Sequence, residues 1–166
     1  ISVLDGSVIW KNAWPGRTAV IPTPIIQGNQ IYISSGYGVG CRKITLSSEN
    51  SVREDYSNRN MKNHHGGVLL LRGHLYGYSD GRGWTCQNLK TGEVVWDSKK
   101  LSKGCIFYAD NRLYCMDEGS GTVVLASADT KGWKEHGRFK LEPQTELRKP
   151  SGRIWTHPVV SNGVLY

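Results

Sequence analysis

The sequence predicts an all-β protein: a partial β-propeller of four-stranded antiparallel blades, about three blades plus pieces of two more, from a ring of six to eight. Three observations point there. Four two-residue turn signals each stand just ahead of a tyrosine, a G-x-G triplet follows three of them, and no helical pattern of useful length separates them. The tyrosines Tyr32, Tyr76, Tyr114 and Tyr166 recur at intervals of roughly 40 to 50 residues, the length of one blade.

The turn signals come first in each unit. Gly28-Asn29, Arg72-Gly73, Asp110-Asn111 and Asn162-Gly163 lie between short apolar runs such as 25-IIQGNQIY-32 and 107-FYADNRLY-114. Tight two-residue hairpins need positive φ, which Gly, Asn and Asp tolerate. After each of the first three tyrosines come Gly36-Tyr37-Gly38, Gly81-Arg82-Gly83 and Gly119-Ser120-Gly121. With strands on both sides and no helix behind them, these read as turns rather than phosphate loops. Third strands follow at 39-VGCRKITL-46, 84-WTCQNL-89 and 122-TVVLASA-128.

These units divide the chain into a last strand and linker at 1–20, blades at 21–63, 64–104 and 105–154, and an opening hairpin at 155–166. Ile1 stands where an initiator methionine would, and 159-VVSNGVLY-166 stops inside a strand pattern, so the expectation is a piece of a longer ring. Cut blade faces would leave apolar surface uncovered, because blades bury their faces on one another.

Composition narrows the function classes. The net charge is +7, but the basic residues are scattered, with no cluster denser than Arg42/Lys43 or Lys99/Lys100 and no RNA or DNA motif, so no nucleic-acid partner is expected. No run approaches the roughly 18 apolar residues of a membrane helix. None of the four cysteines makes a C-x-x-C pair, which removes the usual zinc and redox motifs. Cys41 and Cys86 fall at matching places after the G-x-G turns, as small buried residues. Cys105 and Cys115 flank one hairpin, which leaves both a disulfide and two free thiols open.

The stretch 86-CQNLKTGEVVW-96 carries a family resemblance. With 64-HHGG-67 and 155-WTHPVV-160, it resembles the tryptophan-docking repeat of pyrroloquinoline-quinone-like (PQQ-like) propellers. That repeat is shared by quinoprotein alcohol dehydrogenases and by the lipoprotein of the outer-membrane β-barrel assembly machinery. The matching positions are Cys86, Asn88, Thr91, Gly92, Glu93 and Trp96. The resemblance implies blade docking, with Gly92 making the turn and Trp96 laying its ring on the next blade. Asp5, Gly6 and Trp10 keep part of the motif. The blade at 21–63 has 47-SSENSVRED-55 instead, and the blade at 105–154 has Trp133 after Gly132 and His136 where the tryptophan would fall.

Candidate ligand-binding residues are His64, His65 and His157, each just ahead of a first strand, the strand that lines a propeller's channel. Trp84 and Trp155 are the companion candidates, since a histidine near either indole at a channel mouth can hold a planar ligand by stacking and hydrogen bonding. No catalytic set is present: there is no vicinal cysteine pair, no calcium-type oxygen cluster and no Ser-His-Asp order. No metal site or cofactor is evident, and the resemblance leaves room for PQQ with calcium only in the full-length protein.

The expected function is a non-catalytic binding or scaffold propeller. It would contact a protein or small ligand through its axial funnel or through inserts at 47–63 and 134–154. The resemblance implies an exported, periplasmic bacterial protein. The second reading is a fragment of a PQQ- and calcium-dependent alcohol or sugar dehydrogenase.

Overall fold

The computed structural model describes residues 1–49 and 51–166. It contains three four-stranded antiparallel sheets, each formed from strands in sequence order, and one two-stranded hairpin. Blade 1 comprises β1 (Ile25–Gln27), β2 (Gln30–Ser35), β3 (Gly40–Leu46) and β4 (Val52–Asn58). Blade 2 comprises β5 (Val68–Leu71), β6 (His74–Ser79), β7 (Gly83–Asn88) and β8 (Val94–Ser98). Blade 3 comprises β9 (Gly104–Ala109), β10 (Arg112–Asp117), β11 (Thr122–Ser127) and β12 (Glu135–Lys140), and β13 (Val160–Ser161) with β14 (Val164–Leu165) closes the chain.

The turn chemistry sets the register. Positive φ occurs at Arg72 and Gly73, at Asp110 and Asn111, and at Asn162 and Gly163, so the hairpins carry the twist that matches their strands. Tyr32 accordingly pairs with Ile25, Tyr76 with Leu69 and Tyr114 with Phe107. A bulge recurs in the outer ladder of every blade, at Lys43/Ile44, Cys86/Gln87 and Leu125/Ala126. The residues opposite it are Tyr56, Trp96 and Gly137.

Strand alternation sends β5 to two cores. Val68 and Leu70 pack with Tyr32, Cys41, Met61, Leu75 and Leu89 between blades 1 and 2. Leu69 and Leu71 pack with Trp84, Cys86, Ile106, Leu113 and Val124 between blades 2 and 3. Each fully buried aliphatic side chain contributes about 1.5–3 kcal/mol, and the two-sided burial of one blade ties its stability to both neighbours.

Several sequence expectations need correction. Residues 5–10 form no strand: a strand needs a neighbour for its ladder, and the described contacts there are local, from Ser2 N–H to the Ser7 carbonyl and from Gly6 N–H to the Ser2 carbonyl. The ring that engages blade 1 is Trp14, whose Nε1 donates to Ser35 Oγ at 2.7 Å beneath the Arg42 guanidinium. The supposed inserts at 47–63 and 134–154 hold the fourth strands β4 and β12; Asn50, inside the first, lies outside the described residues. Blade 3 begins one residue early, at Gly104.

Cys41 and Cys86 do not occupy matching places. Gly40 ends the turn of blade 1 where Gly83 ends that of blade 2, so Cys86 aligns with Lys43. Cys105 pairs with Met116 and Cys115 with Ile106, which puts the two thiols on opposite faces of one sheet, and both are free.

Candidate functional site

One end of the sheets gathers the segments leading into the first strands and the turns between second and third strands. Antiparallel pairing brings these together, since the start of β5 lies beside the end of β6. Tyr37 comes from the turn of blade 1, His64 and His65 from the approach to β5, Asp80 from the turn of blade 2, and Lys103 and Glu118 from blade 3. Trp155 and His157 come from the approach to β13. A line of rings results: Tyr37 meets His64 at 4.6 Å between centroids, His64 meets His65 at 4.9 Å, and His65 meets Trp155 at 5.5 Å.

Charge interleaves with the rings. Lys103 Nζ sits 2.8 Å from Asp80 Oδ1 and 3.0 Å from His64 Nδ1. His157 Nε2 donates to the His65 carbonyl at 2.9 Å. His65 Nε2 approaches Glu118 Oε2 to 2.9 Å, yet off the hydrogen-bonding direction, so both His65 ring nitrogens and that carboxylate oxygen are buried without a partner. The contact is a close approach between a neutral ring and a carboxylate, not an ion pair. Burial first, then His64, Lys103 and His157, push the His65 pKa down to about 4. Burial and Lys103 also lower that of His64.

His65 and His157 share a cleft of about 220 Å³ with Ile21, Pro22, Val68, Leu69 and Ile106. Its lining is mostly apolar, with the two imidazoles and Thr23 as its polar side chains, a combination suited to a small ligand with a few hydrogen-bonding points. Trp155, 63% exposed and in ring contact with His65, lines a separate cleft with Leu141, Pro143 and Ile154.

Trp84 is elsewhere. It is 1% exposed, its ring lies against Tyr78 and Trp133, and its Nε1 donates to the Ser102 carbonyl at 3.2 Å. The sequence expectation put it with the histidines at a channel mouth, but its side chain packs in the interface between blades 2 and 3. Asp80, Lys103 and Glu118, which complete the charged part of the site, carry no motif, and only their recurrence next to the turns could have marked them.

The expected docking residues lie at the outer ends of the blades. Trp96 Nε1 donates to the Asp129 carbonyl of blade 3 at 2.9 Å, and its ring meets Tyr76 and Trp133. Asn88 Oδ1 accepts from the N–H groups of Lys90 and Thr91, and Thr91 Oγ1 from Glu93 N–H, which shapes the turn. Gly92, at φ +74°, lies beneath the Tyr56 ring, where an added Cβ would stand 2.7 Å from it. Trp10 is half-buried and contributes no described side-chain hydrogen bond or ring contact.

Tyr56 is the residue the sequence reading passed over. It lies opposite the bulge of blade 1 as Trp96 does in blade 2, and its hydroxyl donates to the Leu89 carbonyl of the next blade at 3.0 Å. In blade 3 that place falls to Gly137, not His136, which is the bulged residue and bonds Ser127 Oγ.

A family model described as outer membrane protein assembly factor BamB matches residues 1–98, more than half of the chain. The chain belongs to this family. The match ends at Ser98, the last residue of β8, so blade 3, with glycine in place of the docking aromatic, lies beyond it.

Among solved structures, BamB from Moraxella catarrhalis aligns with a TM-score of 0.59 and 17% identity over 89% of this chain and 39% of that one. A chain from the Saccharomyces cerevisiae complex of Dbp5 with Nup159, Gle1, IP6 and ADP aligns with a TM-score of 0.50 and 12% identity, over 72% and 30%. These likenesses show the fold alone, and the chain spans well under half of either structure. No curated protein matches it.

A quinone with calcium does not fit the axial residues described. The chain has no vicinal cysteines, its four thiols are buried, and the described residues hold no group of three His, Cys, Asp or Glu suited to a metal. Desolvation raises Cys86 and Cys105 to about 11 and Cys115 further, which keeps these thiols protonated and inert.

Proposed function

We propose that the chain is part of a non-catalytic scaffold propeller of an exported bacterial protein, and that it serves outer-membrane protein assembly by holding a protein partner. Membership in the family described by that role supports this reading. The observation that carries the location of the contact is the axial face. Exposed Trp155 and the buried, unpartnered nitrogens of His65 leave hydrogen-bonding capacity and apolar surface beside each other there. Such a pairing suits a partner side chain or a small ligand better than bulk water.

The test uses the full-length protein in its own compartment. A photo-crosslinking residue at Trp155 is expected to join it to a subunit of the outer-membrane assembly machinery, and one at exposed Asn29 on the opposite side is not. Equal capture from both sites, or none from Trp155, overturns the reading. Titration with PQQ and calcium is expected to give neither cofactor uptake nor dye-linked alcohol oxidation, and turnover would replace the scaffold with a dehydrogenase.

A further inference from the structure

A cleft of about 360 Å³ opens beside the turn of blade 2, lined by Arg59, Lys62, Gly81, Arg82, Asp97 and Lys99. Four cations face one carboxylate. Asp97 is held by Arg82 at 3.1 Å, and among the described residues Arg59, Lys62 and Lys99 have no carboxylate within ion-pair distance. Asp80, in the same turn, is turned to Lys103.

The repeat supplies an internal control. The turn of blade 3 borders a cleft of similar size, about 370 Å³, lined by Lys103, Asp117, Glu118, Ser120 and Arg153 among others. There two carboxylates balance two cations. The excess positive charge at blade 2 therefore does not come with the fold; it is particular to these side chains. Lys62 is also fixed in place, its N–H donating to Ser79 Oγ and its carbonyl accepting from Asp80 N–H. Gly81 leaves room above it, since even a Cβ there would sit 3.6 Å from Lys62 Nζ.

We infer that this cleft binds a phosphate group, as inorganic phosphate or a small phosphomonoester. A carboxylate would leave most of the charge unanswered, whereas a phosphate carries about −1.5 to −2 near pH 7 and three strong acceptor oxygens. The Arg59 guanidinium, which has no carboxylate partner among the described residues, offers a planar fork for two of them, while Arg82 is engaged by Asp97 and Asn60. The site lies on the same end of the sheets as the axial face, beside Asp80, and its phosphate chemistry does not rest on the scaffold role.

Calorimetric titration of the full-length protein with inorganic phosphate, at constant ionic strength in chloride, tests this. Saturable one-site binding is expected. In Lys62→Gln/Lys99→Gln it should weaken by about tenfold or more, the factor for one lost charge-assisted hydrogen bond. Asp97→Asn removes the one carboxylate and should tighten binding, a change of opposite sign that general loss of structure cannot produce. Glycerol phosphate should compete and acetate should not, which separates phosphate from anions at large. No saturable binding, affinity unchanged in the double variant, or acetate binding as well as phosphate overturns the proposal.

Discussion

The two blade interfaces share one geometry and differ in chemistry. Between blades 2 and 3 the contact is apolar, with Trp84, Trp96 and Trp133 packed over Leu113, Val124 and Ala126. Between blades 1 and 2 a buried polar network runs through the same place. Tyr32 donates to Gln87 Oε1 at 2.9 Å, Gln87 Nε2 donates to the Gly92 carbonyl at 2.8 Å, and Asn58 Nδ2 reaches the same carbonyl at 3.0 Å. The bulge register aligns Gln87 with Ala126 and Lys43 with Cys86. Two substitutions thus separate a polar joint from a greasy one. Lys43, 4% exposed, is satisfied by Asp55 at 3.2 Å, whose carboxyl is held below its usual range by Thr45 and Lys43 against the opposing effect of burial. The repeat dictates where residues meet and leaves open what they exchange.

The largest effect should come from the apolar joint. Trp96→Ala removes ring contacts and the bond to Asp129, and should cost about 3 kcal/mol, the low end for a tryptophan because the ring is half-buried. Urea unfolding of the full-length protein checks it, and a loss below about 0.5 kcal/mol, the size of an ordinary surface change, would remove Trp96 from the docking role.

Acid should separate the two joints next. The folded-state pKa of His65 lies near 4, below the 6.5 of the free side chain, so the unfolded chain binds the proton first. The stabilisation is fully present above pH 6.5 and is lost as pH falls from 6.5 through 4; 1.36 kcal/mol per unit over that interval is about 3.4 kcal/mol, which solvent screening of an incompletely buried ring reduces to about 2–3 kcal/mol. His64 shifts in the same direction. Asp55 and Glu135 are depressed from their ordinary values, so their contributions disappear only at lower pH. Amide exchange should therefore quicken in β5 and β9 near the axial face at pH 5 while β2 and β3 stay protected, and His65→Gln should flatten that response. An equal change in both blades would contradict the assignment.

Gln87→Ala copies the residue found at the aligned place in blade 3. It leaves the buried Tyr32 hydroxyl without its acceptor, while the Gly92 carbonyl keeps Asn58 and Asn60, and should cost about 1–3 kcal/mol. Adding Tyr32→Phe should recover part of that, since removing both partners is cheaper than orphaning one. A double-mutant cycle by chemical unfolding reads the coupling, and simple additivity would show that the two groups do not depend on each other.

The contrast also explains what the sequence disclosed. All four hairpins were legible because positive φ restricts residue choice so tightly that Gly, Asn and Asp leave a signature. The docking turn of blade 2 was legible because Asn88, Thr91, Gly92 and Trp96 stand in one short run. The fourth strands of blades 1 and 3 were not, since 52-VREDYSN-58 and 135-EHGRFK-140 lie at the exposed outer edge and carry polar residues where an inner strand carries apolar ones. The axial site was half legible: histidines before first strands attract attention, but Glu118 and Lys103 reach His65 and His64 across a blade boundary that no local pattern records. Trp84 misled because position along the chain does not say which face of a sheet a residue takes, and one step of register reverses it.

The smallest expected effect bears on whether the two joints share a device. Tyr56 and Trp96 each face a bulge and each donate to a carbonyl in the next blade's turn between its third and fourth strands. If the tyrosine is a substituted form of the same clamp, its ring and its hydroxyl act separately. Tyr56→Phe keeps the contact over Gly92 and loses only the bond to Leu89, for about 0.5–1.5 kcal/mol. Exchange should then rise in the turn 89–93 alone, because the lost bond ends there and the blade core is untouched. Protection of that turn equal to the parent's would mean that Gln87, Asn58 and Asn60, all bonded to the Gly92 carbonyl, hold the joint without Tyr56, and that blade 1 docks by its polar network instead of by an aromatic clamp.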